Sequence, residues 1–309
     1  ALGVTGVTAD NLAAVQAAIA ATANDGSGVD SLSELQTIAS NAAAQAAAAI
    51  TTISDAAQAN TATATTPAAT VYSAAGVTGV TDGNLAAINN ALNSAAVTGA
   101  LTDTAAEIQD LVTAYVAILA GADADASNDN ATAITAQYTA IGVTDATDRT
   151  TSLVNDRIDG LSATEVDTVA QVQALVSAAA AVISGAAAGT APTLAQLNAL
   201  GVTGVTADNL AAVQAALAAA TDATQLNSLS GAQSIVTTAN ASYDTAAAKI
   251  AAYAQDDGAA APATNDYANA NSDDDTNRNT DGDPNGNSDT DPDRDADHHS
   301  NGDADEHAY

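Results

Sequence analysis

Residues 3–18 read GVTGVTADNLAAVQAA, and the same stretch returns unchanged at 201–216. A near copy, GVTGVTDGNLAAINNAL, begins at Gly76, and a diverged one, GVTDATDRTTSLV, begins at Gly142. The four leading glycines are 73, 66 and 59 residues apart. A period of this size marks a repeat architecture, so the 309 residues are read as about four copies of one unit rather than as unrelated domains.

Each copy divides into three segments. The first follows the GVTGVT marker: Leu12, Val15 and Ile19 recur at i, i+3 and i+7, and Leu85, Ile88 and Leu92 repeat the pattern, which predicts a helix with one apolar stripe. Asp10 and Asp208 fall in its first turn, where negative charge suits the helix dipole, and Thr8 or Asp10 is the expected cap.

A second helix is expected 25 to 27 residues after each marker glycine, at DSLSELQ from Asp30, DTAAEIQ from Asp103 and DTVAQVQ from Asp167. Each carries a capping box, Ser31 with Glu34, Thr104 with Glu107 and Thr168 with Gln171, in which hydroxyl and later side chain satisfy reciprocal orphan amides. The fourth copy, NSLSGAQ, places Gly231 where the acid belongs, which predicts a frayed start. These second helices are long and apolar, and the one running from Ser31 towards Ala57 spans roughly 40 Å at 1.5 Å per residue.

A polar or Pro-containing joint leads to the third, short segment: PAATVYSAAG from Pro67, AITAQYTAIG from Ala133 and PTLAQLNALG from Pro192. Pro67 and Pro192 are expected in the first helical turn, where a missing amide costs nothing. Tyr72, Tyr138 and Leu197, each four residues before a marker glycine, are the expected anchors. The segment recurs as PATNDYANA from Pro262, with Tyr267 in the anchor position, but no marker follows it. After Ile250 there is no Val, Leu or Ile, too little apolar area to offset ordering entropy, so the folded array is expected to stop near Ala270.

Composition narrows the function classes. The chain has no Cys, Met, Trp or Phe, 7 Tyr, 5 Lys plus Arg against 37 acidic residues, and a net charge of −32. Buried seams must then be thin, with Ala letting helices approach closely. Residues 1–255 contain only Arg149, Arg157 and Lys249 as cations, which excludes a phosphate-binding face and argues against nucleic acid as a partner. Disulfides, thiolate metal sites and cysteine nucleophiles are excluded. His298, His299 and His307 are the sole histidines, so no His-based triad or metal centre can form earlier in the chain. No apolar run reaches membrane-spanning length and no signal peptide is recognisable. A start at Ala, inside a repeat, reads as a mature or excised piece.

The stretch with recognisable ligand spacing is DGDPNGNSD, Asp281 to Asp289. Oxygen donors at Asp281, Asp283, Asn285 and Asp289, with Gly286 at the sixth position, match the first part of a Ca²⁺ loop, but Pro292 stands where the bidentate Glu belongs. Calcium binding and a solvated acidic tail both stay open there. No cofactor is required by any other motif. Asp123, Asp125, Ser127 and Asp129 form a second alternate-oxygen run without a turn Gly and read as a loop. The pair Glu107 and Asp110 could in principle serve glycoside chemistry, but helix capping and the dipole explain both acids; the chain reads as no enzyme. Thr clusters in joints and caps, as in TATATT from Thr61, and shows no sustained spacing along a helix face of the kind an ice-binding array needs.

The GVTGVTADNLAAVQAA markers and the D-[ST]-x-x-[EQ]-x-Q helix starts resemble the Ala-rich helical repeats of very large, secreted or surface-anchored adhesin-type proteins of Gram-negative bacteria, over roughly residues 1 to 270. That resemblance implies export, an extended stalk and adhesion or matrix roles. The tail is similar to the aspartate-rich calcium repeats of thrombospondin type 3, at Asp281, Asp283, Asn285 and Asp289.

The expectation is an all-α protein: antiparallel helical bundles repeated in tandem as an elongated array, divided 1–75, 76–141, 142–200 and 201–270, followed by an acidic Asp/Asn-rich tail at 271–309. The expected function is structural, as an extracellular or cell-surface stalk or filament subunit. A calcium-responsive module working through the tail and a passive spacer of a larger adhesin are the alternatives. The expected partner is a second copy, head to tail, or neighbouring repeats of the same protein, with the surplus segment at Pro262 filling the gap before the first marker.

Overall fold

A computed structural model describes residues 3–59, 66–184, 191–220 and 223–259. Residues 1–255 form one compact body, and the chain from 256 onward is a separate unit. The first body is all-α: among the described residues there is no strand, only an isolated antiparallel bridge between Asp123 and Ser162. None of the described helices is long and apolar enough to cross a membrane.

The first three marker-led stretches each fold as two helices and a short third, and the fourth shows the first two among the described residues. The first is α1 (Ala9–Ala20), α2 (Leu32–Ala59) and the short α3 (Ala69–Ala74). The second is α4 (Leu85–Leu92), α5 (Ala105–Gly121) and α6 (Thr135–Ala140). The third is α7 (Asp148–Ile158), α8 (Val169–Ser184) and α9 (Leu194–Ala199). The fourth is α10 (Leu210–Ala219) and α11 (Leu229–Ala259). The Ala-rich sequence favours helix at every interior position, because Ala loses no side-chain entropy there.

The long helices start where their caps predict. In α5 the Thr104 amide donates to Glu107 Oε2 at 3.1 Å and the Glu107 amide donates to Thr104 Oγ1 at 3.2 Å. Ser31 with Glu34 and Thr168 with Gln171 repeat the arrangement. Such a cap contributes about 1 kcal/mol. The fraying expected of the fourth copy is not found. Ser228 Oγ accepts the Gly231 amide at 3.1 Å, and the Leu229 amide donates to Asp156 Oδ2 at 2.8 Å. The Ser228 hydroxyl thus keeps its half of the local box, and a side chain from α7 holds the first amide of the helix. Gly231 has its own reason: a Cβ there would overlap the Gln225 carbonyl oxygen.

Two further expectations are corrected. Pro67 and Pro192 lie just outside their helices, preceding the caps Ala68 and Thr193. Their carbonyls are turned to the following copy, accepting from Asn89 Nδ2 at 3.0 Å and Gln214 Nε2 at 2.8 Å. Of the stripe on α1, only Val15 is buried; Leu12 is 45 % exposed and Ile19 half-buried. In α4 the counterparts Ile88 and Leu92 are fully buried. The difference is cover: α4 packs against α2, α5 and α8, whereas the main helix contacts of α1 are with α2 and α5.

The buried interior divides accordingly. One large cluster runs from Ala49 to Ala239, centred on Tyr72, Tyr115, Tyr138 and branched aliphatics, while Val15, Ala39 and Ala42 form a separate small one. Tyr72, Tyr138 and Leu197 are all fully buried, as their anchor role requires. Burial pushes the hydroxyls of Tyr72 and Tyr138 above the ordinary phenol value.

Candidate functional site

The recurrent structural site is the joint at each marker. Gly76 ends α3 with φ +79°, its amide donating to Ser73 O at 3.0 Å, and the Val77 amide donating to Tyr72 O at 2.9 Å. This pair of bonds is a Schellman termination, in which Gly takes the left-handed turn and the next residue packs back on the helix. Val77 and Tyr72 are accordingly both buried. Gly142 with Val143 and Gly201 with Val202 repeat the two bonds. The second turn of the marker is left-handed too, at Gly6, Gly79 and Gly204; the diverged marker holds it with Asp145 at φ +60°.

The marker is then locked to the long helix of its own copy. The Thr78 amide donates to Gln109 Oε1 at 2.8 Å, and Gln109 Nε2 donates to Thr78 O at 3.2 Å. The same two-bond clamp joins Thr5 to Gln36, Thr144 to Gln173 and Thr203 to Gln233. A backbone segment that would otherwise be held only by its turns is thereby fixed in register. At the start of the first helix, Asn84 Oδ1 accepts from the Thr81 amide at 2.8 Å and its Nδ2 donates to Gly79 O at 2.8 Å; Asn11 and Asn209 do the same. Thr8, not Asp10, is therefore the cap of α1.

The anchor segment is tied to the next copy by one polar side chain. Tyr72 Oη donates to Asn89 Oδ1 at 2.8 Å while Asn89 Nδ2 donates to Pro67 O; Tyr138, Asn155 and the Ala133 carbonyl repeat the chain of bonds. Where Leu197 replaces Tyr, Gln214 replaces Asn and reaches the Pro192 carbonyl unaided.

An acidic cleft of about 580 Å³ opens where the second, third and fourth copies meet, bordered by Asp129, Asp156, Asp159 and Leu229. Asp159 is buried and accepts the Ala131 amide at 2.6 Å. Burial, together with the nearby Asp129 and Asp159, holds the Asp156 carboxyl above the usual carboxylate range. The adjoining run Asp123–Asp129 is a loop whose oxygens serve the loop itself. Asp123 Oδ2 accepts from Asn128 and Asn130 at 2.7 and 2.8 Å, and these bonds lower its pKa. Among the described residues no group of acidic or histidine side chains is arranged to hold a metal ion. Glu107 is engaged in its cap, which lowers its pKa.

A wider, apolar groove of about 720 Å³ lies between α10 and α11, lined by Ala212, Ala216, Ala239 and Ser242 among others. Its counterpart in the first copy, lined by Ala14, Ala18, Ala42 and Gln45, is closed to about 300 Å³ by Ser73 and Ala74 of α3.

Asp281, Asp283, Asn285 and Asp289, the histidines, and the Pro262 segment with Tyr267 lie outside the described residues. The clamp glutamines and the Asn89, Asn155 and Gln214 positions were legible as recurring letters, the Gln closing every D-[ST]-x-x-[EQ]-x-Q start, but periodicity alone assigns them no role. No protein family, no curated protein and no solved structure matches the chain.

Proposed function

We propose that the chain is a structural, non-catalytic repeat protein of the cell surface or extracellular space, a stalk or filament subunit in which copies stack in tandem as helical bundles along an elongated array. The observation that carries this reading is the joint. Four markers make the same two-bond clamp. The main helix contacts between copies join consecutive ones only, as α2 with α4, α4 with α8 and α8 with α10. Nearest-neighbour packing of this kind is what lets repeats extend in one dimension. A net charge of −32 keeps such a surface hydrated and resists collapse onto other acidic surfaces. The adhesin-type resemblance of the markers adds the surface location.

The test is protease shaving of intact producing cells. Release of fragments of this chain before lysis is expected; full protection until lysis overturns the surface role. A second reading, a calcium-responsive tail, rests on the oxygen spacing at 281–289. Calorimetric titration of Ca²⁺ into the full chain tests it, and absence of binding heat removes it.

A further inference from the structure

We propose that the chain self-associates head to tail, the first marker and α1 of one copy docking on the open face of α10 of a second copy, through the contact that already joins its first two repeats. This deepens the stalk or filament reading and rests on it.

Inside the chain, the marker at Gly76 seats on α1. An added Cβ at Gly76 would stand 3.0 Å from the Ala14 amide nitrogen and 3.1 Å from Ala13 Cβ, so backbone meets helix directly. The receiving helix is ADNLAAVQAAIA at 9–20, and the incoming residues are GVTGVT at 76–81. Both halves of this contact exist a second time, and among the described residues neither is engaged in it. The sequence ADNLAAVQAALA at 207–218 repeats the receiving helix with one change, Ile to Leu. Ala13 and its counterpart Ala211 are both exposed, but Ala14 is buried while its counterpart Ala212 is half-buried and lines the open α10–α11 groove. The sequence GVTGVT at 3–8 repeats the incoming marker. Gly3 adopts the same left-handed turn at φ +83°, yet the nearest atom to a Cβ there is on Leu32, at 3.9 Å.

Exposure marks the same two faces. Val4 is half-buried where Val77, Val143 and Val202 are buried. Gln16 is exposed where Asn89, Asn155 and Gln214 hold the carbonyl of a preceding anchor segment. Leu32 is 53 % exposed; its counterparts Val169 and Leu229 sit at the first helical position, their amides held by Asn90 and Asp156 of the preceding copy. By the same register Leu32 would lie over Ala215 of a second molecule. Of the seven exposed large hydrophobics among the described residues, Val7, Leu12 and Leu32 belong to the first copy and Ile250 and Tyr253 to the last helix. The Ser54 bond to the Gly99 carbonyl has no counterpart at Ala251, so the contact between molecules rests on the α10 face.

Because both partners are strongly acidic, association should strengthen between about 0.15 and 0.5 M salt as repulsion is screened. Sedimentation velocity of the full chain from about 1 to 200 μM tests the proposal. Species larger than a dimer are expected to grow with concentration. Ala211→Glu places a charged side chain on the receiving face and Leu32→Asp on the incoming one, both at exposed positions. Each variant alone should associate at least about tenfold more weakly. Mixed, the two should form a dimer and nothing larger, since one intact contact remains. A wild-type chain that stays monomeric at every concentration, whatever covers the groove, overturns the proposal. So does association that ignores both substitutions, or a mixture that forms no dimer. Surface shaving is unaffected by these outcomes, so a monomeric protein released by shaving would refute the docking and leave the structural role standing.

Discussion

Asp156 accepts the first amide of α11, at Leu229, over 2.8 Å, just as Asn90 accepts that of α8, at Val169, one copy earlier. The two positions are equivalent in the repeat, so Asp156→Asn keeps the acceptor and removes a charge that lies beside Asp129 and Asp159. The folded-state pKa of Asp156 is raised above its unfolded value, so folded protein binds the proton more readily. The favourable contribution is present below the unfolded carboxylate pKa and lost as pH rises through the folded one. Thermal melts should show Asp156→Asn more stable than wild type at pH 7, by about 1–2 °C after allowing for solvent screening, with no gain below about pH 4. A variant less stable at pH 7 would show that the carboxylate is needed for charge, not as an acceptor.

Gln109→Ala opens the clamp on Thr78, and removing two partly solvated bonds should cost about 1 kcal/mol. The local reading is sharper: amide exchange across residues 76–84 should accelerate before that of α5. Gln109→Glu keeps the acceptor for the Thr78 amide but loses the donor to its carbonyl at neutral pH. Its exchange rate should return towards wild type near pH 3, after correction for intrinsic exchange, when the carboxylic acid can donate again.

Tyr138 and Asn155 form the buried tie at one joint, while Leu197 and Gln214 occupy the same positions at the next. Tyr138→Leu should cost about 3 kcal/mol, combining lost burial with a stranded Asn155 acceptor. Adding Asn155→Gln should recover about 0.5–1.5 kcal/mol, since Gln can reach the Ala133 carbonyl without a hydroxyl partner. Chemical denaturation of the four corners of the cycle measures this; strict additivity would show the two positions to be uncoupled.

Gly231→Glu restores the capping-box letter that the fourth copy lacks. The sequence pattern alone makes this a stabilising change of about 1 kcal/mol. The Gln225 carbonyl occupies the space a side chain would need, so the structure makes it destabilising by about 1–3 kcal/mol. A higher melting temperature for Gly231→Glu would overturn the structural account.

These cases show what could be read before the fold was known. The long helices, their caps at Ser31, Thr104 and Thr168, and the anchors Tyr72, Tyr138 and Leu197 were legible because each depends on neighbours within four residues or on helical period. The clamp was not, because Thr78 and Gln109 are 31 residues apart and neither lies on an apolar stripe. Asp156 was missed for the same reason: its bond to Leu229 spans 73 residues. The error at Leu12 is of another kind. A helical period says which residues share a face, and the cover over that face is set by which helices pack on it.

The clamps close their loops over 29 to 31 residues, and each closes within its own copy. Loop-closure entropy is therefore met locally, in short steps rather than across the whole chain. Low contact order of this sort favours fast folding. As the polypeptide emerges from the ribosome, each marker finds its glutamine about 30 residues later, before the next copy has appeared. The order of synthesis is thus also an order of assembly, and a chain halted midway already carries finished joints behind it.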